Sequence, residues 1–217
     1  MNSLTTGQKA EKARAIATAA QQQFEQKSFS QITMAAIAKQ AGCSKGTLFN
    51  YYESKESLFM TLLLDGYCDY FEGIIKQVDG QTLDLTQFAA LLLTETANLI
   101  DHHATLLRLN ALRGPILEQG ANLAQTIAHR QALYDVNERL AQAICTQIPT
   151  LTVAEVSQLY LVQSAIISGL MNLAALDEFQ QRPLIEQNFE HFKINIKTDA
   201  VTSFKYYLLG RYPTLTL

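Results

Sequence analysis

The chain is predicted to be all-α, and three observations carry that reading. Apolar residues recur at intervals of three and four along nearly its whole length, the period of one helix face. That period is broken at Gly42, Asp79-Gly80, Gly114-Pro115 and Pro149, all residues that punctuate helices. Thr33, Ser44, Ser54 and Thr152 stand just before a run resumes, where an N-cap belongs. No segment alternates as a half-buried strand does, and there is no internal repeat or low-complexity tract.

Each element follows from the same reasoning. A first helix from Gly7 to Gln26 gathers Ala13, Ile16, Ala17, Ala20 and Phe24 on one face. Thr33 caps a short second helix whose apolar face is Ile37, Ala38 and Ala41, and Gly42 ends it by taking the left-handed conformation without a Cβ penalty. Ser44 caps a third helix with Leu48 inward, and Ala38 is small enough to let the two helices cross closely. A long helix starts at Lys55 and turns Leu58, Leu62, Tyr67, Tyr70 and Ile74 inward as far as Asp79-Gly80. Asp84–Ile100 follows, with Phe88, Leu91, Leu92 and Leu99 inward, then Ala104–Leu112, stopped by Gly114-Pro115. Residues 121–148 form another long helix striped by Leu133, Val136, Leu140 and Ile144. Thr152 opens an uncharged helix, Val156–Leu176. Residues 177–196 are ambiguous, with Pro183 as a breaker and a short helix expected after it. Asp199–Gly210 is a final amphipathic helix with Val201, Phe204, Tyr207 and Leu208 on its face.

Bulk properties narrow the class. With 48 % hydrophobic and 17 % charged residues the chain can bury a sizeable core and does not read as disordered. The net charge of −3 is unevenly spread: the first sixty residues carry seven Lys/Arg against four Asp/Glu, so the remainder is acidic by six. Attraction for phosphate is therefore confined to the N-terminal end. Cys43, Cys68 and Cys145 are odd in number and far apart, which argues against a disulfide framework or zinc site and fits a reducing cytoplasm. Cys43 is expected to pack as a small apolar residue in its turn. The N-terminus lacks the apolar core of a signal peptide. Val156–Leu176 is long enough to span a membrane, but Ser157, Gln158, Gln163, Ser164, Ser168 and Asn172 make it too polar for lipid. It is expected to be a core and subunit-interface helix instead, with no membrane partner.

The capped helix, glycine turn and second capped helix between Thr33 and Leu48 meet the steric requirements of a helix-turn-helix, which lays its second helix in the DNA major groove. The pattern Thr33-x-x-x-Ile37-Ala38-x-x-Ala41-Gly42-x-Ser44-x-Gly46-Thr47-Leu48-x-x-Tyr51-Tyr52-x-Ser54-Lys55-Glu56-x-Leu58 resembles the N-terminal signature of the TetR/AcrR family of one-component transcriptional regulators. The close match covers residues 8–60. It departs at Cys43, where valine is usual, and at Phe49, where tyrosine is common and its hydroxyl often reaches phosphate or base. The resemblance implies an all-α homodimer with a three-helix DNA-binding domain over residues 1–54. Residues 55–217 would form a larger ligand-binding and dimerisation domain, linked through the helix that starts at Lys55. It also implies a repressor that leaves its operator when a small molecule binds. A regulator gated by a protein partner, and an enzyme or carrier with an appended helix-turn-helix, are the alternatives.

Site residues follow from position. Lys45, Gly46, Thr47, Phe49 and Asn50 lie at the start and exposed face of the recognition helix. Lys45 and Asn50 can hydrogen-bond base edges, and Thr47 or Phe49 can meet a thymine methyl. Glycine inside a helix costs about 1 kcal/mol, so Gly46 reads as a place where backbone approaches DNA. Thr33, Ser44, Tyr51 and Lys55 are phosphate candidates, because exposed N–H groups at helix starts favour an anion. Leu48 and Tyr52 are assigned to the core.

No catalytic constellation emerges, and the chain is expected not to be an enzyme and to need no cofactor or metal. His102 and His103 are adjacent and so point about 100° apart on a helix, and His129 and His191 have no carboxylate or cysteine at ligand spacing. No nucleophile elbow or Gly-rich phosphate loop appears. Asn110, Tyr134, Gln163 and Asn172, polar residues on otherwise apolar helices, are the candidates for orienting a mostly apolar effector. The two-fold interface is expected on Val156–Leu176 and Asp199–Gly210, with Ala165, Ser168 and Gly169 small enough for two helices to cross there.

Overall fold

The computed structural model describes residues 6–174 and 194–217, and every element among them is helical. The expected break at Pro183, the short helix after it and His191 lie outside the described residues. The helices are α1 (Thr6–Gln26), α2 (Met34–Gln40), α3 (Lys45–Phe49), α4 (Lys55–Val78), α5 (Leu85–His102) and α6 (Ala104–Leu112). They continue with a one-turn α7 (Glu118–Gly120), α8 (Leu123–Gln147), α9 (Val153–Ala174) and α10 (Ile196–Arg211). The expected caps are in place: Thr33 Oγ1 accepts from Ala36 N at 3.2 Å, Ser44 Oγ from Thr47 N at 3.0 Å, and Ser54 Oγ from Ser57 N at 2.9 Å. Thr152 and Glu155 cap α9 reciprocally, at 3.2 Å and 3.0 Å. Gly42 ends α2 at φ +62, a backbone conformation that a side chain would strain.

Gly114-Pro115 does not stop the chain as expected. The segment Arg113–Leu117 widens into a π turn, with Glu118 N donating to Arg113 O, and runs directly into α7. Proline has no N–H to give to a helix ladder, and the wide turn accommodates that loss. The last helix begins at Ile196, three residues earlier than Asp199, because Asn195 Oδ1 caps it through Thr198 N at 3.0 Å.

By compactness the chain forms two units. One comprises the described residues up to Tyr67 with Leu112–Leu133; the other is Cys68–Ala111 with the described residues from Tyr134 on. This division does not coincide with the boundary expected between residues 54 and 55, because the first turns of α4 and the segment from Leu112 pack with α1–α3. The core of the first unit is built from Ile16, Ala20, Phe24, Ile37, Leu48, Leu58, Phe59 and Leu63, all at most 1 % exposed. Phe59 is met by Phe24 at 5.5 Å and, edge-on, by Phe29 at 5.3 Å between ring centroids. On α4 the buried line runs through Leu63 and Leu64, and Leu62, expected inward, is only half-buried.

The segment from Gly120 is bonded to the start of α4 at successive points. Ser54 Oγ donates to Gly120 O at 2.9 Å, Asn122 N donates to Ser57 Oγ at 2.8 Å, and Glu53 N donates to Gln125 Oε1 at 3.0 Å. Gly120 approaches α4 so closely that a Cβ would lie 2.5 Å from Glu56 Cγ. Behind it, Arg130 forms a two-pronged pair with Glu118 at 3.1 and 2.8 Å, which with Arg113 holds that carboxyl below its ordinary range. The second unit is centred on Phe88, Leu92, Leu99, Leu140, Ile144, Val156, Ile167 and Phe204.

One turn further along, His129 Nδ1 lies 2.5 Å from Asp65 Oδ1. The hydrogen bond to Asp65 raises the His129 pKa above the ordinary histidine value, partly opposed by burial. A raised folded-state pKa contributes stability that is complete below roughly pH 6.5 and is lost as pH rises through the raised value. Replacing His129 by Gln is therefore expected to lower the melting temperature more at about pH 5.5 than at about pH 8.5. Thermal unfolding of both proteins at the two pH values checks it; equal losses would mean the pair does not titrate in this way.

Candidate nucleic-acid interface

The helix-turn-helix is assembled by local bonds that leave one face open. Cys43 N donates to Ala38 O at 3.0 Å, closing the turn after Gly42. Ala38 is 2 % exposed and Leu48 wholly buried, on two helices that pack against each other. Cys43 is half-buried in the turn, as a small packing residue would be. Ser44 and Thr47 share a hydroxyl–hydroxyl hydrogen bond of 2.8 Å in addition to the cap, which fixes Thr47 in a half-buried position. Thr33, Ser44, Lys45, Gly46, Phe49 and Asn50 are exposed.

Lys45 Nζ lies 5.6 Å from the centroid of the Phe49 ring, within reach of a cation–π contact that holds the ammonium on the open face. Phe49 is 39 % exposed, an unusual position for a large apolar ring on a soluble surface. A Cβ at Gly46 would meet nothing nearer than Ser44 Oγ at 3.8 Å. No packing inside the chain requires glycine there. Asn50 closes α3 as its C-cap, its N–H directed to Gly46 O and Thr47 O, and its side chain is exposed. Tyr51 and Tyr52 are both half-buried. Burial, with the Asp65 carboxylate adding to it, pushes Tyr52 up to about 12, in keeping with its assignment to the core.

Lys55 is placed otherwise than its sequence position suggests. Its ammonium donates to Phe29 O at 2.8 Å and Ile32 O at 3.0 Å and sits 4.1 Å from the centroid of the Phe29 ring. Burial lowers its pKa, partly offset by Glu56. The side chain fastens the loop between α1 and α2 to the first turn of α4, an arrangement no helical spacing reveals because the partners are backbone carbonyls more than twenty residues away.

The ligand candidates divide sharply. Asn110 and Gln163 are buried, but their amide groups are occupied internally. Asn110 Nδ2 donates to Ser164 Oγ at 3.0 Å and Ser168 Oγ at 2.5 Å, and Gln163 Nε2 donates to Thr96 Oγ1 at 2.9 Å. Tyr134 is 62 % exposed and Asn172 is exposed, contrary to expectation. The buried line of α8 is Val136, Leu140 and Ile144, and Tyr134 lies two residues from it, on the opposite side of the helix. On α9 the buried line ends at Ile167, from which Asn172 is about 140° away. The helical pattern missed Glu95 and Tyr160, which are 5 % and 4 % exposed. The signal available for Glu95 was an acid on an otherwise apolar face, between Leu92 and Leu99.

Lys55→Met keeps the stem over Phe29 and removes the ammonium. It is expected to lower the stability of the protein by about 1–3 kcal/mol, the usual range for losing hydrogen bonds to a charged group. Denaturant unfolding measures this directly, and an unchanged midpoint would show that the two carbonyls are served equally well by water.

The comparisons agree with this architecture. Residues 16–62 match the family model of bacterial regulatory proteins of the tetR family, and residues 67–215 match a tetracyclin repressor-like C-terminal domain. No curated protein is significantly similar in sequence. A TetR transcriptional regulator from Rhodococcus sp. RHA1 superposes with a TM-score of 0.57 at 17 % identity, over 97 % of this chain and 100 % of that one. FadR of Thermus thermophilus, a TetR-family transcriptional repressor in complex with lauroyl-CoA, gives 0.52 at 19 % identity, over 94 % and 96 % of the two chains. FadR of Bacillus subtilis in complex with stearoyl-CoA gives 0.51 at 16 % identity, over 90 % and 95 %. At such identities the likeness is one of fold. Since one family model accounts for the helix-turn-helix and another for more than half of the chain, this protein belongs to the TetR family of transcriptional regulators.

Proposed function

We propose that this protein is a homodimeric, operator-binding repressor in the cytoplasm, released from DNA by a small and mostly apolar effector. The observation that carries the reading is the open face of α3. Lys45, Gly46, Phe49 and Asn50 are all exposed on a helix whose other side is anchored by Leu48, and Gly46 has no internal reason to be glycine. Lys45 and Asn50 read base edges, Phe49 and the methyl of Thr47 lie against thymine methyls, and Gly46 brings the backbone close. Thr33, Ser44 and Tyr51 face the phosphates, and Lys55 supports them by holding the α1–α2 loop in place. The acyl-CoA ligands of the two FadR structures are consistent with an effector of lipophilic character. The protein acts by binding and not by catalysis.

A second copy is called for by α9. Only 28 % of its most apolar stretch is buried within the chain. Leu161, Ala165, Gly169 and Leu173 are exposed at every fourth position, large residues at the ends and small ones between, and Tyr206 on α10 is 68 % exposed. Ser168, expected in this crossing, instead turns inward to Asn110. Such a stripe suits an isologous crossing of two α9 helices, and a two-fold reader meets two half-sites about 34–36 Å apart. Effector binding in the second unit then acts through α4, which contributes residues to both units. A shift of that helix changes the spacing of the two reading heads. Release requires the effector to bind the displaced state more tightly, since equal affinity for both states would shift nothing.

A gel shift with the DNA flanking its own gene tests the reading: a specific complex is expected, and none at any protein concentration would favour an enzyme or carrier with an appended helix-turn-helix. Asn50→Ala should relax preference at one operator position, at a cost of about 1–3 kcal/mol for that base pair. Binding-site selection giving the same motif for mutant and wild type would remove Asn50 from base reading. Gly169→Arg, which sets a bulky charge in the middle of the α9 stripe, is expected to yield monomers with sharply reduced operator affinity. Sedimentation of the two proteins decides it, and a Gly169→Arg dimer that binds DNA normally would displace the interface from α9.

A further inference from the structure

The second unit holds a carboxylate that its own polar network does not neutralise. Glu95 lies on α5, 5 % exposed, between buried Leu92 and Leu99. It accepts one hydrogen bond, from Asn98 Nδ2 at 3.1 Å, and among the described residues no Lys, Arg or His forms an ion pair with it. A buried carboxylate without a cation is costly, and proteins ordinarily pair such a charge. On α9, Tyr160 is 4 % exposed and its hydroxyl is buried without a hydrogen-bond partner. The ring itself is fixed edge-on against Phe71 at 5.4 Å.

The two groups belong to one place. Thr96, next to Glu95, accepts from Gln163 Nε2, and Gln163 follows Tyr160 by about one turn, so α5 and α9 are tied rung to rung beside them. The Glu95 charge is felt at Tyr160: burial first, and that carboxylate second, push the phenol far above its ordinary range, so it stays protonated. Gln163 and Asn110, the neighbouring polar residues, already have internal partners. A carboxyl group with one hydrogen-bond donor and an uncommitted hydroxyl therefore remain, the first between Leu92 and Leu99 on α5 and the second on the ring that meets Phe71.

We infer that Glu95 and Tyr160 form the polar end of the effector site and select a ligand that carries a protonated amine on an apolar body. This rests on the reading of the protein as an effector-released regulator and names the effector's chemical class. An ammonium gives Glu95 the cation it lacks and donates to the Tyr160 oxygen, whereas a carboxylate or a thioester carbonyl brings a further acceptor toward Glu95. Charge-assisted hydrogen bonds of this kind are the strong ones.

Three probes with the same acyl or alkyl length separate the possibilities: dodecylamine, laurate and lauroyl-CoA, each below its micellar concentration. Titration calorimetry on the full-length protein is expected to show dodecylamine binding at least about tenfold more tightly than the other two. Glu95→Gln should abolish that preference, and Tyr160→Phe should weaken the amine while leaving the free protein's melting temperature unchanged or higher, because an unpartnered buried hydroxyl has been removed. Laurate or lauroyl-CoA binding as tightly as the amine would overturn the inference, and so would a Glu95→Gln protein that keeps the preference. If none of the three binds, the inference fails as well. The regulator reading fails separately, if the protein also forms no specific complex with its operator.

Discussion

The first turn of α4 is the constraint on which the first unit depends. Four roles are concentrated in Ser54, Lys55 and Ser57. Ser54 caps the helix and donates to Gly120 O, Lys55 holds the carbonyls of Phe29 and Ile32, and Ser57 accepts from Asn122 N. A helix start has exposed N–H groups and needs polar partners in any protein. Here the residues that supply them also reach two distant stretches of chain. The loop before α2 and the segment before α8 are thereby referred to one turn of helix, and α3 packs against the α2 that follows that loop.

That arrangement gives α4 its mechanical meaning. A helix is stiff along its axis, and its N-terminal turn here is bonded on both sides while its C-terminal half contributes Tyr70, Phe71 and Ile74 to the second unit's interior. The segment bonded to that turn is itself braced: Glu118 is gripped by Arg130 and Arg113, and Gly120 lies so near Glu56 that a Cβ there would displace the Glu56 side chain. Packed interfaces of this kind are bistable and do not yield by small continuous degrees. A displacement of α4 must therefore either carry Gly120–Asn122 with it or break the bonds at Ser54 and Ser57.

Polar residues in the second unit do two different jobs. Asn110 bonds to Ser164 and Ser168 and ties α6 to α9, while Gln163 bonds to Thr96 and ties α5 to α9, so that these polar groups set the register of the three helices. Glu95 and Tyr160 stand one step away and are not closed in this manner. The contrast separates residues that fix the fold from residues that await a partner, and residue type alone would not have made it: glutamine and asparagine read as ligand contacts more readily than a buried glutamate does.

The sequence by itself determined whatever is local. Caps at Thr33, Ser44, Ser54 and Thr152, the left-handed Gly42, the burial of Leu48 and the exposed face of Lys45, Phe49 and Asn50 all follow from interactions within four residues, whose geometry is set by the helical period. The long-range relations were decided only by tertiary structure. Asp65 meets His129 across sixty-four positions, Lys55 turns back to Phe29 and Ile32, and Gly114-Pro115 passes through a π turn where a stop was expected. Tyr134 and Asn172 face outward for the same reason, since a helix's polar residues can be ranked by angle but which angle meets a neighbour is fixed by packing. Periodicity defines a face; only another helix, laid against it, says whether that face is inside.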